Sequence, residues 1–248
     1  MDDPKIFDVF KEKIRQSIDT IIVPQGAEYQ AVCKGLRGNK SHSPNVIAVP
    51  MTYEPLKDFL LNWLMSQLKQ ECHISGVLML GLAGSLSQKY PIGEWVIYQQ
   101  CLRLNPSTQQ VETYLSDPTL SSMLRKVMGA DLPWVTGINS DRFISSITDK
   151  IKLAQQYQAD VVDMESAAAF AVFQEANIPM VVIRAISDDI NQDMPDLGDV
   201  INTKGELATL PLVLRLLAHP FAGLRLIQGS QTGLKTLEQL VNKLFGVS

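Results

Sequence analysis

Two acids open the functional reading. Glu165, in VVDMES, and Asp188, in RAISDD, each stand directly after a β-branched or apolar run. Between them lies an alanine-rich, helix-favouring stretch, Ser166 to Ala176, closed by Asn177 and Pro179. The run Met180–Ile186 reads as a fully buried strand, apolar on both faces except for Arg184. A strand–helix–strand unit of this kind predicts two parallel strands with their carboxyl ends on one side of a sheet. Ligands gather on that side in open α/β sheets. Glu165 and Asp188 are therefore candidates for one pocket although they are far apart in sequence. Each acid alone also has a structural explanation, since acids complement helix N-termini and cap them. Their joint placement favours function. Asp163 and Asp189 read as surface or cap residues.

Other loops point the same way. GLAGSL (81–86) reads as a small-residue turn after the strand Gly76–Leu80, where backbone can approach a ligand closely. It lacks the Walker and dinucleotide spacings. Thr20–Val23 leads into PQGAEYQAV, a turn and helix carrying Glu28. Trp134–Ile138 ends in NSDRF, ahead of a helix from Ser146 to Tyr157. With the acids, these segments place a small-residue loop, an aromatic and three carboxylates around one crevice.

The remaining elements must hold that crevice. Residues 5–18 read as an amphipathic leader helix, and Asn45–Val49 as a short strand. Residues 54–70 form a helix whose Leu56, Phe59, Leu60, Trp63, Leu64 and Leu68 make a core-facing stripe. Trp95–Leu102 and Val111–Leu115 flank NPSTQQ as an antiparallel pair, and Asp117–Pro118 starts another helix. Alternating strands and helices predict a three-layer α/β/α domain on a mixed, mostly parallel sheet. One domain spans 1–248, with its core at about 20–190 and a helical extension at about 204–248.

Composition narrows the class. The chain has 248 residues, 46% hydrophobic and 19% charged, enough for one large core. A net charge of -4 with no basic stripe argues against nucleic acid. Cys33, Cys72 and Cys101 form no CxxC pair and read as packed thiols; His42, His73 and His219 lack metal-ligand spacing, so no metal and no cofactor is expected. The cysteine usage suits a cytoplasmic compartment. The acidic, charged start MDDPKIFDVFKEK is unlike a secretory signal.

At this point a family resemblance is visible. GLAGSLSQKYPIGEWVIY resembles the G-x-A-G-x-L…G-D-x-V signature of the nucleoside phosphorylase and nucleosidase superfamily. SDRFI resembles its purine-stacking segment. VVDMESAAAFAVFQEANIPMVVIRAISD is similar to the block shared by 5′-methylthioadenosine/S-adenosylhomocysteine nucleosidases. The tail ELATLPLVLRLLAHPFAGLRLI resembles the hopanoid-associated subgroup, whose members act on a lipid-linked adenosine. The resemblance implies an N-glycosidase releasing adenine from a 5′-substituted adenosine, working as a homodimer or higher homo-oligomer. It implies that Asp188 protonates the leaving purine, its acidity weakened by burial. Glu165 stays ionised and grips the ribose hydroxyls, with Met164 against the sugar. Phe143 stacks on the purine and the Ile144 backbone reads its edge. Ala83, Gly84 and Ser187 complete the substrate site, and Glu28 activates the attacking water.

Three departures qualify the carry-over. Leu82 stands where the family has Ser or Thr. PQGAEYQAV offers no phosphate-binding arginine, which favours water over phosphate as nucleophile. Gln30 rather than Glu28 could fall at the base position. Phosphorolysis, or a non-catalytic nucleoside-binding or membrane-surface protein, are the alternatives. Residues 206–227 combine many leucines with Arg215 and Arg225 and read either as a helical pair packed on the domain or as an interfacial helix giving peripheral membrane contact.

Overall fold

In the computed structural model, residues 4–37, 43–129, 132–197, 200–202, 204–206 and 208–246 are described. His42 and Leu207 fall outside them. The elements run α1 (Pro4–Ser17), β1 (Thr20–Pro24), α2 (Ala27–Gly35), β2 (Asn45–Val49), α3 (Tyr53–Lys69), β3 (Val77–Ser85), β4 (Trp95–Leu104) and β5 (Val111–Leu115). Then follow α4 (Pro118–Met128), β6 (Trp134–Asn139), α5 (Ile147–Tyr157), β7 (Val161–Asp163), α6 (Ser166–Glu175), β8 (Met180–Asp188), α7 (Thr209–Ala218) and α8 (Pro220–Phe245).

The sheet orders as β2-β1-β3-β7-β6-β4-β5, with β8 pairing both β3 and β4. Strands β3, β7, β6, β4 and β8 therefore close into a ring, with β1, β2 and β5 outside it. One correction concerns β7. It pairs antiparallel to β3, whereas β8 pairs parallel to β3, so the two acid-bearing strands run in opposite senses. Their carboxyl ends still meet because β3 lies between them. Gly84 is the partner of Val162 on one side and of Asp188 on the other. The register slips between Ala83 and Gly84, leaving Ser187 as an extra residue in β8. Such a bulge bends a strand and re-aims its last side chains.

Two apolar cores flank the sheet, as the three-layer expectation requires. One gathers Leu56, Leu60 and Leu64 of α3 with Phe170 and Phe173 of α6. The other gathers Ile14 of α1, Val32 of α2, Leu124 of α4 and Leu237, Leu240 and Leu244 of α8. Leu68 departs from the predicted stripe: it is 75% exposed, one turn beyond the core's reach. Of the thiols, Cys101 is buried, Cys33 half-buried and Cys72 exposed, so the packed reading fails for Cys72. Local signals set the helix starts. The Asp117 side chain accepts from Leu120 N–H, and Ser146 caps α5 by accepting from Asp149 N–H.

The tail is also corrected. From sequence Gly233–Phe245 reads as a separate helix, but α8 is a single 26-residue helix that runs through Gly233. Its second half is core; its first half forms a hairpin with α7 that leaves Leu214, Leu217, Phe221, Leu224 and Ile227 exposed. Among the described residues, no helix is long and apolar enough to cross a membrane.

Candidate active site

GLAGSL proves to be strand, not turn: β3 continues through Ser85. The small residues are needed because large polar side chains from β8 lie across them. A Cβ on Gly81 would sit 1.9 Å from Arg184 Nη1, and one on Gly84 would sit 2.8 Å from Asp188 Oδ2. Glycine is thus required by close approach rather than by a turn.

Arg184 is fully buried and organises the floor of the site. Its Nε donates to Asp163 Oδ2 at 3.0 Å, and its Nη2 lies 3.3 Å from Glu165 Oε2 and 3.0 Å from Ser166 Oγ. Asp163 also accepts from the Tyr98 hydroxyl at 2.8 Å, from the Ser166 hydroxyl, and from the backbone N–H groups of Glu165 and Ser166 at 3.1 and 3.0 Å. It is therefore a cap as expected, but a buried one and not a surface residue. Ionic pairing with Arg184 and several hydrogen bonds offset its desolvation.

Of these residues, Asp163 and Glu165 border a cavity of about 250 Å3. Lining it are all nine residues singled out from sequence: Glu28, Ala83, Gly84, Phe143, Ile144, Met164, Glu165, Ser187 and Asp188. Gln30 is exposed and does not border it. Leu82 also faces the cavity, as do Met51, Leu197 and Ile201, with Leu212 and Leu226 from the tail helices. A second cavity, of about 260 Å3, shares Arg142, Phe143, Met164, Leu197 and Ile201 with the first.

Electrostatics differ among the three acids. Glu28 Oε1 accepts from Leu82 N–H at 2.7 Å. The residue is partly accessible through the cavity, yet its carboxyl is enclosed by protein. Burial pushes it up to about 7, against the lowering influence of Arg184 and of that hydrogen bond. Burial also raises Glu165, to about 8, outweighing Arg184 and reinforced by Asp163 and Glu28. This differs from the expectation of an ionised Glu165. Desolvation outweighs the pull of Arg184 here, and a diol donating to the carboxylate would favour the ionised form.

Asp188 departs from expectation in another way. The resemblance implies a desolvated acid, whereas the structure pairs it with a buried lysine. Lys150 Nζ donates to its Oδ2 and, at 2.7 Å, to the carbonyl oxygen of Asp189. Ser187 Oγ lies 3.0 Å from its Oδ1. Lys150 is 1% exposed and was missed in the sequence. The available signal was its register, since Lys150 shares a face of α5 with Leu153, Ala154 and Tyr157, which pack on an apolar cluster. Among the described residues, no group of three His, Cys, Asp or Glu could hold a metal ion.

The profile of the phosphorylase superfamily matches residues 46–218. The chain belongs to the phosphorylase superfamily. Within it, this chain is 29% identical over 130 residues to a 5′-methylthioadenosine/S-adenosylhomocysteine nucleosidase of Staphylococcus epidermidis, covering 46% of this chain and 57% of that relative. The corresponding Shewanella loihica nucleosidase is 29% identical over 161 residues, 58% of this chain and 69% of that one. The fold is similar to that of futalosine hydrolase from Helicobacter pylori, with a TM-score of 0.66 at 15% identity, covering 91% of this chain and 95% of the other.

Proposed function

We propose that this protein is a hydrolytic N-glycosidase that releases adenine from a 5′-substituted adenosine. The observation that carries the reading is the convergence of Glu28, Glu165 and Asp188 on one cavity walled by Phe143 and aliphatic side chains. Phe143 stacks on the purine, and Glu165, anchored by Arg184, accepts from the ribose hydroxyls. Glu28 keeps one oxygen on the Leu82 N–H and directs the other at a water. With a carboxyl raised to about 7, it is poised as a base near neutral pH. That water attacks C1′ as the bond to N9 breaks, and the purine takes a proton at N7 from Asp188. The adjoining second cavity gives room for the 5′ group. Among the described residues, no fixed cation equivalent to a phosphate clamp borders the cavity: Arg142 is largely exposed and paired with Asp149 at 3.2 Å. This favours water over phosphate. The protein would work in the cytoplasm as a homodimer or higher homo-oligomer.

One test covers substrate and nucleophile together. The protein is incubated with methylthioadenosine, adenosylhomocysteine, inosine and a lipid-linked adenosine, with and without phosphate. Free adenine without phosphate is expected. Release only with phosphate, alongside a sugar 1-phosphate, would replace hydrolysis by phosphorolysis; no free base from any adenosine would end the enzyme reading.

A second part of the proposal rests on the tail. The α7–α8 hairpin lines the cavity with Leu212 and Leu226 and exposes Leu214, Leu217, Phe221, Leu224 and Ile227 outward, with Arg215 and Arg225 among them. That combination suits a bilayer surface carrying an apolar-tailed substrate. Deleting 206–248 would strip the core of Leu237, Leu240 and Leu244. The better test is Leu217→Ser with Phe221→Ser. The parent should sediment with anionic liposomes at low salt and the double variant should not. A parent that ignores liposomes refutes the membrane part alone.

A further inference from the structure

Asp188 is asked to give up a proton, yet its surroundings present it with donors. Lys150 Nζ donates to Oδ2, and the Ser187 hydroxyl lies 3.0 Å from Oδ1. Both carboxylate oxygens therefore face hydrogen-bond donors, and a buried ammonium stands directly behind the group. Lys150 makes no other ion pair among the described residues, and its second acceptor, the Asp189 carbonyl at 2.7 Å, adjoins the same strand end. The side chain is 1% exposed, and its neighbours on α5, Leu153, Ala154 and Tyr157, pack on apolar residues. Burying a lysine in such a place is costly. A helix seeking only to pack there would carry an aliphatic residue.

We infer that Lys150 is a positioning residue for protonation of the leaving base, acting through Asp188. Resting on the glycosidase reading above, it adds a residue from α5 that touches no substrate. Lys150 and Ser187 fix the carboxyl plane over Gly84, where no side chain intervenes. Lys150 also holds the proton that the reaction consumes. As the C1′–N9 bond breaks, its electron pair goes to the purine. One proton passes from Nζ to the carboxylate, and the carboxyl delivers one to N7. The pair is left as amine and carboxylate, and solvent restores the ammonium after the purine departs.

The test compares two leaving groups. Lys150→Met keeps the length and apolar stem while removing the charge. With an adenosine substrate its turnover should fall about 10²-fold, the lower end of general-acid contributions. With a riboside of 4-nitrophenolate, which leaves without a proton, turnover should fall less than about threefold on the same scale. Combined with Asp188→Asn, the lysine substitution should cost nothing further, because the two act as one unit. Equal losses on both substrates, full additivity with Asp188→Asn, or undiminished adenine release would each overturn the inference. Should Lys150→Met fail to fold, Lys150→Gln is read in the same way. Wild-type protein that cleaves no adenosine at all would instead refute the glycosidase reading.

Discussion

The structure assigns Glu28 a cost as well as a role. Its carboxyl is raised from 4.5 to about 7, mainly by burial. In the unfolded chain the group ionises at its ordinary value; in the folded protein it keeps its proton until about pH 7. Between those values the folded state binds more protons than the unfolded state. Stability must therefore fall as pH rises through this window, and the penalty is fully present above it. The gap corresponds to roughly 3 kcal/mol. Glu28→Gln removes the ionisation and keeps an oxygen for the Leu82 N–H. At pH 5 the variant and parent should have similar unfolding free energies. At pH 8.5 the variant should be the more stable by up to about 3 kcal/mol, while losing most glycosidase activity. Urea unfolding at both pH values measures this. Equal stability at pH 8.5 would mean that Glu28 does not carry the desolvation described, and the argument for a base tuned by burial would fall with it.

On the proposed reaction, kcat/KM of the parent protein should rise with pH through about 7 as Glu28 ionises, and a profile flat from pH 5 to 9 would remove Glu28 from the base role. Asp188→Asn should lower adenine release by roughly 10²–10⁴-fold with an unchanged circular dichroism spectrum; near-normal turnover would exclude it as the acid. Glu165→Gln should raise KM and lower kcat together, and a 2′,3′-dideoxy substrate should lose little further rate in that variant; losses that add in full would show that Glu165 does not hold the diol. Asp163→Ala leaves the buried Arg184 guanidinium short of its 3.0 Å partner and should cost about 3–5 kcal/mol in urea unfolding, against less than 1 for Asp189→Ala.

What the sequence revealed follows the range of the interactions involved. Strands such as Met180–Asp188 are legible because each residue's burial is written in its own side chain. Glu165, Asp188 and Phe143 are legible because strand ends recur beside ligands whatever the strand direction. The sense of β7 was not, since it depends on ring closure by strands distant in sequence. GLAGS misled because a glycine needed for close approach looks, in one dimension, like a glycine needed for a turn. Lys150 is easily passed over because a lysine on an amphipathic helix usually reads as solvated, although its spacing from Leu153, Ala154 and Tyr157 already places it on the buried face.

Closure of the ring has a consequence for how the protein comes into being. Strand β8 is the last of the eight to be synthesised, and it alone pairs with both β3 and β4. Until it docks, Asp188 is missing from the cavity, and Asp163 and Glu165 lack their cationic partner Arg184. Pairings between strands so distant along the chain carry a large loop-closure entropy and slow folding. A nascent chain that stops short of residue 188 therefore presents open strand edges and uncompensated acids, and no partial site. Catalytic competence and the closed barrel should emerge in the same kinetic phase of refolding, with neither available as a stepping stone to the other.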